Sequence, residues 1–178
     1  FSIPNAISSY MRTLIALNSK FDQHMRNEAE LSKDEKKGFN LFMGKARCAT
    51  CHFIPLFNGM VPPDFNETES EVLGVPAWKK NLLDDDLGKY NFTTAVIHKN
   101  SFKTPTLRNV ALTAPYMHNG AFKDLGEVME FYNKGGARGE GFEVSNQTLS
   151  PDKLRLSRRE KQQIIAFLKT LTDTSASH

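Results

Sequence analysis

Cys48-Ala49-Thr50-Cys51-His52 is the stretch from which the rest of this chain can be read. Two thiols three positions apart, with an imidazole on the next residue, form C-x-x-C-H, the attachment signature of a c-type haem. On a helical turn this spacing lets both sulfurs add across the two vinyl groups of a porphyrin. The following histidine then falls under the porphyrin plane. A neutral imidazole is a good iron ligand there, and its second ring nitrogen can donate to a carbonyl that fixes the ring. Cys48 and Cys51 are the only cysteines. A zinc site would need two more ligands, and no second C-x-x-C or H-x-x-x-H follows. A disulfide between them would close a tiny loop and stabilise little, and the β-α-β periodicity of a dithiol oxidoreductase is missing. One covalent haem c is the expectation, attached through Cys48 and Cys51 with His52 on the iron.

The flanking sequence reads as helices. Upstream, Ile3, Ile7, Tyr10, Met11, Leu14 and Leu17 recur at helical spacing over residues 1–20, with Pro4 suited to a first turn. Ser32 followed by Glu35 forms a capping box that opens a helix over residues 33–43, with Phe39, Phe42 and Met43 on one side and Gly44 at its end. Downstream, residues 53–104 are rich in proline, glycine and asparagine. So long an irregular stretch fits loops wrapped around a large ligand. Residues 105–112 predict a short helix with Pro105 at its start, and Asp124 caps another from Leu125 to about Asn133. Ser157 and Glu160 form a second capping box, opening a terminal helix over 158–171 with Ile164, Ile165, Phe167, Leu168 and Leu171 as its buried stripe. Strand-like alternation is nearly absent. The expected fold is all-α: a cytochrome c-like domain (residues 26–178) wrapped around the haem with long irregular loops, preceded by an N-terminal helical arm (residues 1–25).

Composition excludes several classes. The 178 residues carry a net charge of +3, which two haem propionates would nearly cancel, so charge argues for neither nucleic acid nor a membrane surface. No apolar run approaches the ~18 residues of a membrane span. The start, Phe1-Ser2-Ile3-Pro4-Asn5, has no signal-peptide pattern. The sixth iron ligand decides whether such a domain carries electrons, catalyses or binds gas. Spacing alone does not select among Met60, Met117, Met129, His98, His118 and Tyr132. Lys103 and Arg108 could pair with propionates, since a guanidinium fork matches a carboxylate, and Trp78, the single tryptophan, reads as a core or loop anchor.

Taken together, the segments resemble the C-terminal half of the bacterial di-haem cytochrome c peroxidase family, including its methylamine-utilisation branch. The resemblance rests on Gly38-Phe39-Asn40-Leu41-Phe42 leading into Cys48, on Pro55-Leu56-Phe57, and on the block Phe102-Lys103-Thr104-Pro105-Thr106-Leu107-Arg108-Asn109-Val110. It continues through Thr113-Ala114-Pro115-Tyr116-Met117-His118-Asn119-Gly120 and Ile165-Ala166-Phe167-Leu168-Lys169-Thr170-Leu171. The resemblance implies a six-coordinate haem that passes electrons to a peroxide-reactive haem on an N-terminal domain. Neither that domain nor its peroxide-handling residues are in this sequence. It also implies a sixth ligand at Tyr132, as in the methylamine-utilisation branch, with Met129 one turn away as the rival. A Ca2+ ion held by the backbone carbonyls of Thr113 and Pro115 is implied too.

The function expected is that of the electron-transfer haem domain of a peroxidase-type oxidoreductase. A free-standing mono-haem carrier and a haem sensor or binding domain are the alternatives. Expected partners are the missing N-terminal haem domain and a small electron-donor protein of cytochrome or cupredoxin type, with a homodimer as a further option. Because c-type haem is attached outside the bacterial inner membrane, the periplasm is the expected location.

Overall fold

The computed structural model describes residues 2–14, 16–77 and 81–175. Trp78 lies outside them. Among these residues seven α-helices carry the fold, namely α1 (Ile3–Met11), α2 (Lys20–Met25), α3 (Lys33–Met43), α4 (Tyr90–Thr93), α5 (Leu125–Lys134), α6 (Gly136–Gly139) and α7 (Arg158–Lys169). They are joined by long loops and three short 3-10 turns. A minimal sheet interrupts the helical pattern: β1 (Ser70–Glu71) pairs antiparallel with β2 (Phe102–Lys103), Glu71 opposite Phe102. No helix among the described residues is long and apolar enough to cross a membrane.

The centre is the α3–α7 pair. Both helices begin with the capping boxes read from the sequence, in which Ser32 and Ser157 accept from the backbone N–H of Glu35 and Glu160. The two helices pack almost backbone to backbone at Gly38, where a Cβ would sit 1.9 Å from the Gln163 carbonyl oxygen and 2.8 Å from Phe167 Cβ. Around this crossing Phe21, Phe42, Phe57 and Phe167 are all but fully buried, with Phe39 completing an aromatic cluster at centroid spacings of 5.2–6.0 Å. Each such ring contributes roughly 1.5–3 kcal/mol by leaving water. α5 packs against α7 and carries Met129 and Tyr132 into the same cluster, which also receives Cys48 and Ala49.

Four expectations change. Helix α1 stops at Met11, and its apolar face is exposed, with Ile3 78% accessible. The domain boundary expected at 25/26 falls inside the core, because α2, opened by a Ser19–Asp22 capping box, buries Phe21. Met43 is exposed. Residues 105–112 form only a 3-10 turn at Val110–Leu112. Their backbone donors go elsewhere: Leu107 N–H donates to Phe57 and Asn109 N–H to Leu171, and Asn109 is left-handed at φ 60°.

Because a methyl group at Gly38 has no room between two backbones, Gly38→Ala should cost about 1–3 kcal/mol in denaturant unfolding of the haem-bearing chain. An unchanged midpoint would mean that α3 and α7 do not cross as closely as described.

Candidate haem site

Cys48–Thr50 forms a single 3-10 turn directly after α3, entered through Arg47 in the left-handed region at φ 56°. Backbone N–H groups of Cys51 and His52 both return to the Cys48 carbonyl, at 3.3 and 3.0 Å. Cys48, Cys51 and His52 are thereby gathered on one turn. The thiols are free of one another. Burial pushes Cys48 up to about 12, and burial together with the nearby Glu71 pushes Cys51 up to about 11. A redox dithiol needs the opposite, a thiol with a lowered pKa, so the dithiol reading has no physical support here.

His52 is held beside the carbonyls of Phe57 and Pro105. Its Nδ1 lies 3.1 Å from the Phe57 carbonyl oxygen. A carbonyl can only accept, so Nδ1 carries the proton and Nε2 keeps its lone pair. Burial lowers the ring's pKa against the opposing pull of the Phe57 and Pro105 carbonyls and Glu71, leaving a neutral imidazole that could hold a metal through Nε2. The Phe57 carbonyl also accepts from Leu107 N–H at 2.9 Å.

Helix α5 packs against the same cluster. Asp124 caps it by accepting from Glu127 N–H, and Gly135 ends it at φ 92°. Asn133 ties it to the loop before α7 by accepting from Leu154 and Leu156 N–H. Met129 is nearly fully buried and Tyr132 partly so, both against the cluster that holds Cys48. Burial drives the ionisation of the Tyr132 phenol far above its ordinary value, and the neighbouring Cys48, Cys51 and Glu71 add to the shift. Met60 and Met117 are not part of that cluster. His98 is bonded to Thr93 at 2.8 Å. His118 stacks on Phe102 at 3.7 Å, with Nε2 3.2 Å from Asp84.

The residue types also fit a haem at a third place. Strand pairing brings 69–71 beside 102–104, and there the ligating atoms of Cys51, Glu69 and Glu71 all lie within 4.8 Å of one another. Glu69 Oε2 and Thr104 Oγ1 are buried without any partner. Orphaned polar atoms at this depth are costly unless another group meets them. A prosthetic group with carboxylate arms could do so, since the Thr104 hydroxyl can donate and the Glu69 carboxyl, raised by burial and by Glu71, holds its proton more tightly.

Three expected residues stand elsewhere. Arg108 is not free for a propionate: its guanidinium forks onto Asp22 at 2.8 and 2.9 Å and donates its remaining N–H groups to Pro55 and Ala16. Thr113 and Pro115 lie on an exposed turn, with the Thr113 hydroxyl on the Val110 carbonyl. Sequence reasoning missed Glu69, Glu71 and Thr104, whose approach to Cys51 depends on a two-residue strand pair. It also missed Asp22, for which Ser19-x-x-Asp22 was a usable signal.

No family model matches the chain. It is 35% identical over 187 residues to cytochrome-c peroxidase IdrP1 of Pseudomonas sp. (strain SCT), covering 94% of this chain and 48% of that protein. It is 33% identical over 173 residues to cytochrome c551 peroxidase of Nitrosomonas europaea (96% and 44%) and 31% over 169 residues to the methylamine utilization protein MauG of Methylorubrum extorquens (93% and 42%). Among solved structures, a MauG-like protein associated with microbial copper homeostasis superposes with a TM-score of 0.75 at 29% identity, over 96% of this chain and 53% of that one. The diheme peroxidase BthA of Burkholderia thailandensis shares the fold, with a TM-score of 0.66 at 22% identity over 89% and 47%. The chain spans about half the length of the curated relatives it matches.

If haem supplies the partner that Thr104 lacks, Thr104→Val should cost the haem-bearing chain about 1 kcal/mol in denaturant unfolding. Unchanged or increased stability would show that the hydroxyl meets nothing.

Proposed function

Because the chain is a relative of one half of the di-haem cytochrome c peroxidases, MauG among them, we propose that it is their C-terminal, electron-transferring haem domain. Cys48 and Cys51 would hold covalent haem c, and His52 and Tyr132 would ligate its iron. The carrying observation is that this chain brings a neutral imidazole and a partly buried phenol to the same thiols, on His52 after α3 and Tyr132 on α5. With both side chains on the iron, such a haem would supply electron transfer rather than a place for peroxide to bind.

The haem, when bound, supplies a one-electron couple. The protein's part is to hold and tune it. Phe57 fixes the His52 ring and raises its basicity by accepting from Nδ1. The Tyr132 phenol is hard to ionise in this setting, and only a strong local positive charge such as ferric iron would favour its phenolate. A phenolate ligand favours the ferric state and lowers the potential, whereas the thioether of Met129 would raise it.

In this reading the peroxide-reactive haem lies on a partner N-terminal domain, and the exposed apolar face of α1 supports such a neighbour. A small cytochrome or cupredoxin is the electron donor, the whole protein is a peroxidase-type oxidoreductase of the periplasm, and Ca2+ binding by the Thr113 and Pro115 carbonyls belongs to the assembled pair of domains.

Substitutions on α5 test the ligand. In the haem-bearing chain, Tyr132→Phe should open the sixth position, so that the reduced form binds carbon monoxide, while Met129→Leu leaves coordination unchanged. The reverse pattern would make Met129 the ligand. Stopped-flow measurements should show the unmodified haem-bearing chain exchanging electrons with a reduced small cytochrome while turning over hydrogen peroxide only at background. Sustained turnover by this chain alone would contradict an electron-transfer role.

A further inference from the structure

Three consecutive carbonyls after the C-x-x-C-H motif are held by three consecutive residues of a distant segment. The Thr106 hydroxyl donates to Leu56 at 2.6 Å, Leu107 N–H donates to Phe57 at 2.9 Å, and Arg108 donates twice to Pro55, from Nε at 3.2 Å and Nη2 at 2.7 Å. The Phe57 carbonyl is the one that fixes His52. Arg108 is in turn held in place by Asp22. Both guanidinium nitrogens reach the carboxylate, the two side chains are only 8% and 13% exposed, and Nη1 also donates to the Ala16 carbonyl. A charged pair this enclosed is costly to desolvate and does little for stability compared with an apolar pair, but it fixes geometry strongly, because the planar fork satisfies several acceptors at once.

We infer that Asp22 and Arg108 are positioning residues for the His52 iron ligand, acting through the 55–57 carbonyls. This rests on the assignment of His52 to the haem iron but is independent of which residue lies opposite. The physical route is short. Holding Pro55 and Leu56 fixes where the Phe57 oxygen stands. Its position sets the length of the Nδ1–H···O bond, and that bond sets how strongly the imidazole donates to iron. A slackened loop weakens the bond, makes the ligand less basic and disfavours ferric iron, so the reduction potential rises. The Ala16 contact puts the segment after α1 on the same guanidinium, so the arm and the iron ligand share one anchor.

The test uses the haem-bearing full chain, reading the reduction potential and the ferric EPR g-values beside the unfolding midpoint. Arg108→Lys keeps the charge and loses the fork, and Asp22→Asn removes the anchor. Both should shift the potential positively and move the g-values. Thr106→Val releases only the Leu56 carbonyl and should give a smaller shift in the same direction, which keeps the inference testable if either charged variant fails to retain haem. Variants that retain haem with unchanged potential and g-values, whatever their melting behaviour, would overturn it and leave the pair a plain structural tie. If Met129 rather than Tyr132 were the opposite ligand, the unmodified chain itself would show a high potential and a thioether spectrum, an outcome distinct from either of these.

Discussion

His52 can ligate a metal through Nε2 while the ring proton stays on Nδ1. The carbonyl of Phe57 holds it there, 3.1 Å from Nδ1, and much of the surrounding structure acts to keep that carbonyl still. Phe57 itself is fully buried, packed edge-on against Phe21, Phe42 and Phe167, so the side chain is locked into the α3–α7 core while its oxygen faces the imidazole. The backbone there is left-handed, at φ 50°, a conformation a phenylalanine adopts only when its surroundings over-determine it. Core packing, loop geometry and ligand orientation thus meet in a single residue.

The same economy explains why the chain tolerates so little regular structure between residues 53 and 124. Those loops are not free-standing. The 102–108 segment is pinned to the carbonyls after the motif, Asn109 is pinned to the end of α7 through Leu171 and Asp173, and Asn119 draws the loop at Pro76 and Asp84 against the turn that holds His118. Backbone groups that a helix or sheet would satisfy are satisfied across the fold instead, around a region where Glu69 and Thr104 keep polar atoms without partners.

The legible parts of the sequence were those with local causes. Two capping boxes, the α7 stripe and the C-x-x-C-H turn follow from residues within a few positions of one another, and α5 begins and ends where Asp124 and Gly135 put it. What escaped has non-local causes. Residues 105–108 read as helical because proline followed by apolar residues looks like a first turn, but their donors are claimed by carbonyls 50 positions away. Arg108 reads as a propionate partner because nothing near it in sequence reveals Asp22, 86 residues earlier. Glu69 and Glu71 approach Cys51 through a strand pair too short to leave any alternation. The periodicity that placed Met43 on the buried side could not tell that the last residue of α3 is left exposed. Tyr132 stands out through the resemblance to di-haem peroxidases, and in the fold it packs, partly buried, against the cluster that holds Cys48.

The central claim is that this domain is built around one covalently held haem, and intact-mass spectrometry under denaturing conditions tests it most directly. The chain matured in a host with c-type haem attachment machinery is predicted to carry the mass of one haem that denaturation does not remove, abolished when Cys48 and Cys51 are both replaced by serine. A matured chain of unmodified mass, with both thiols open to alkylation, would contradict the account.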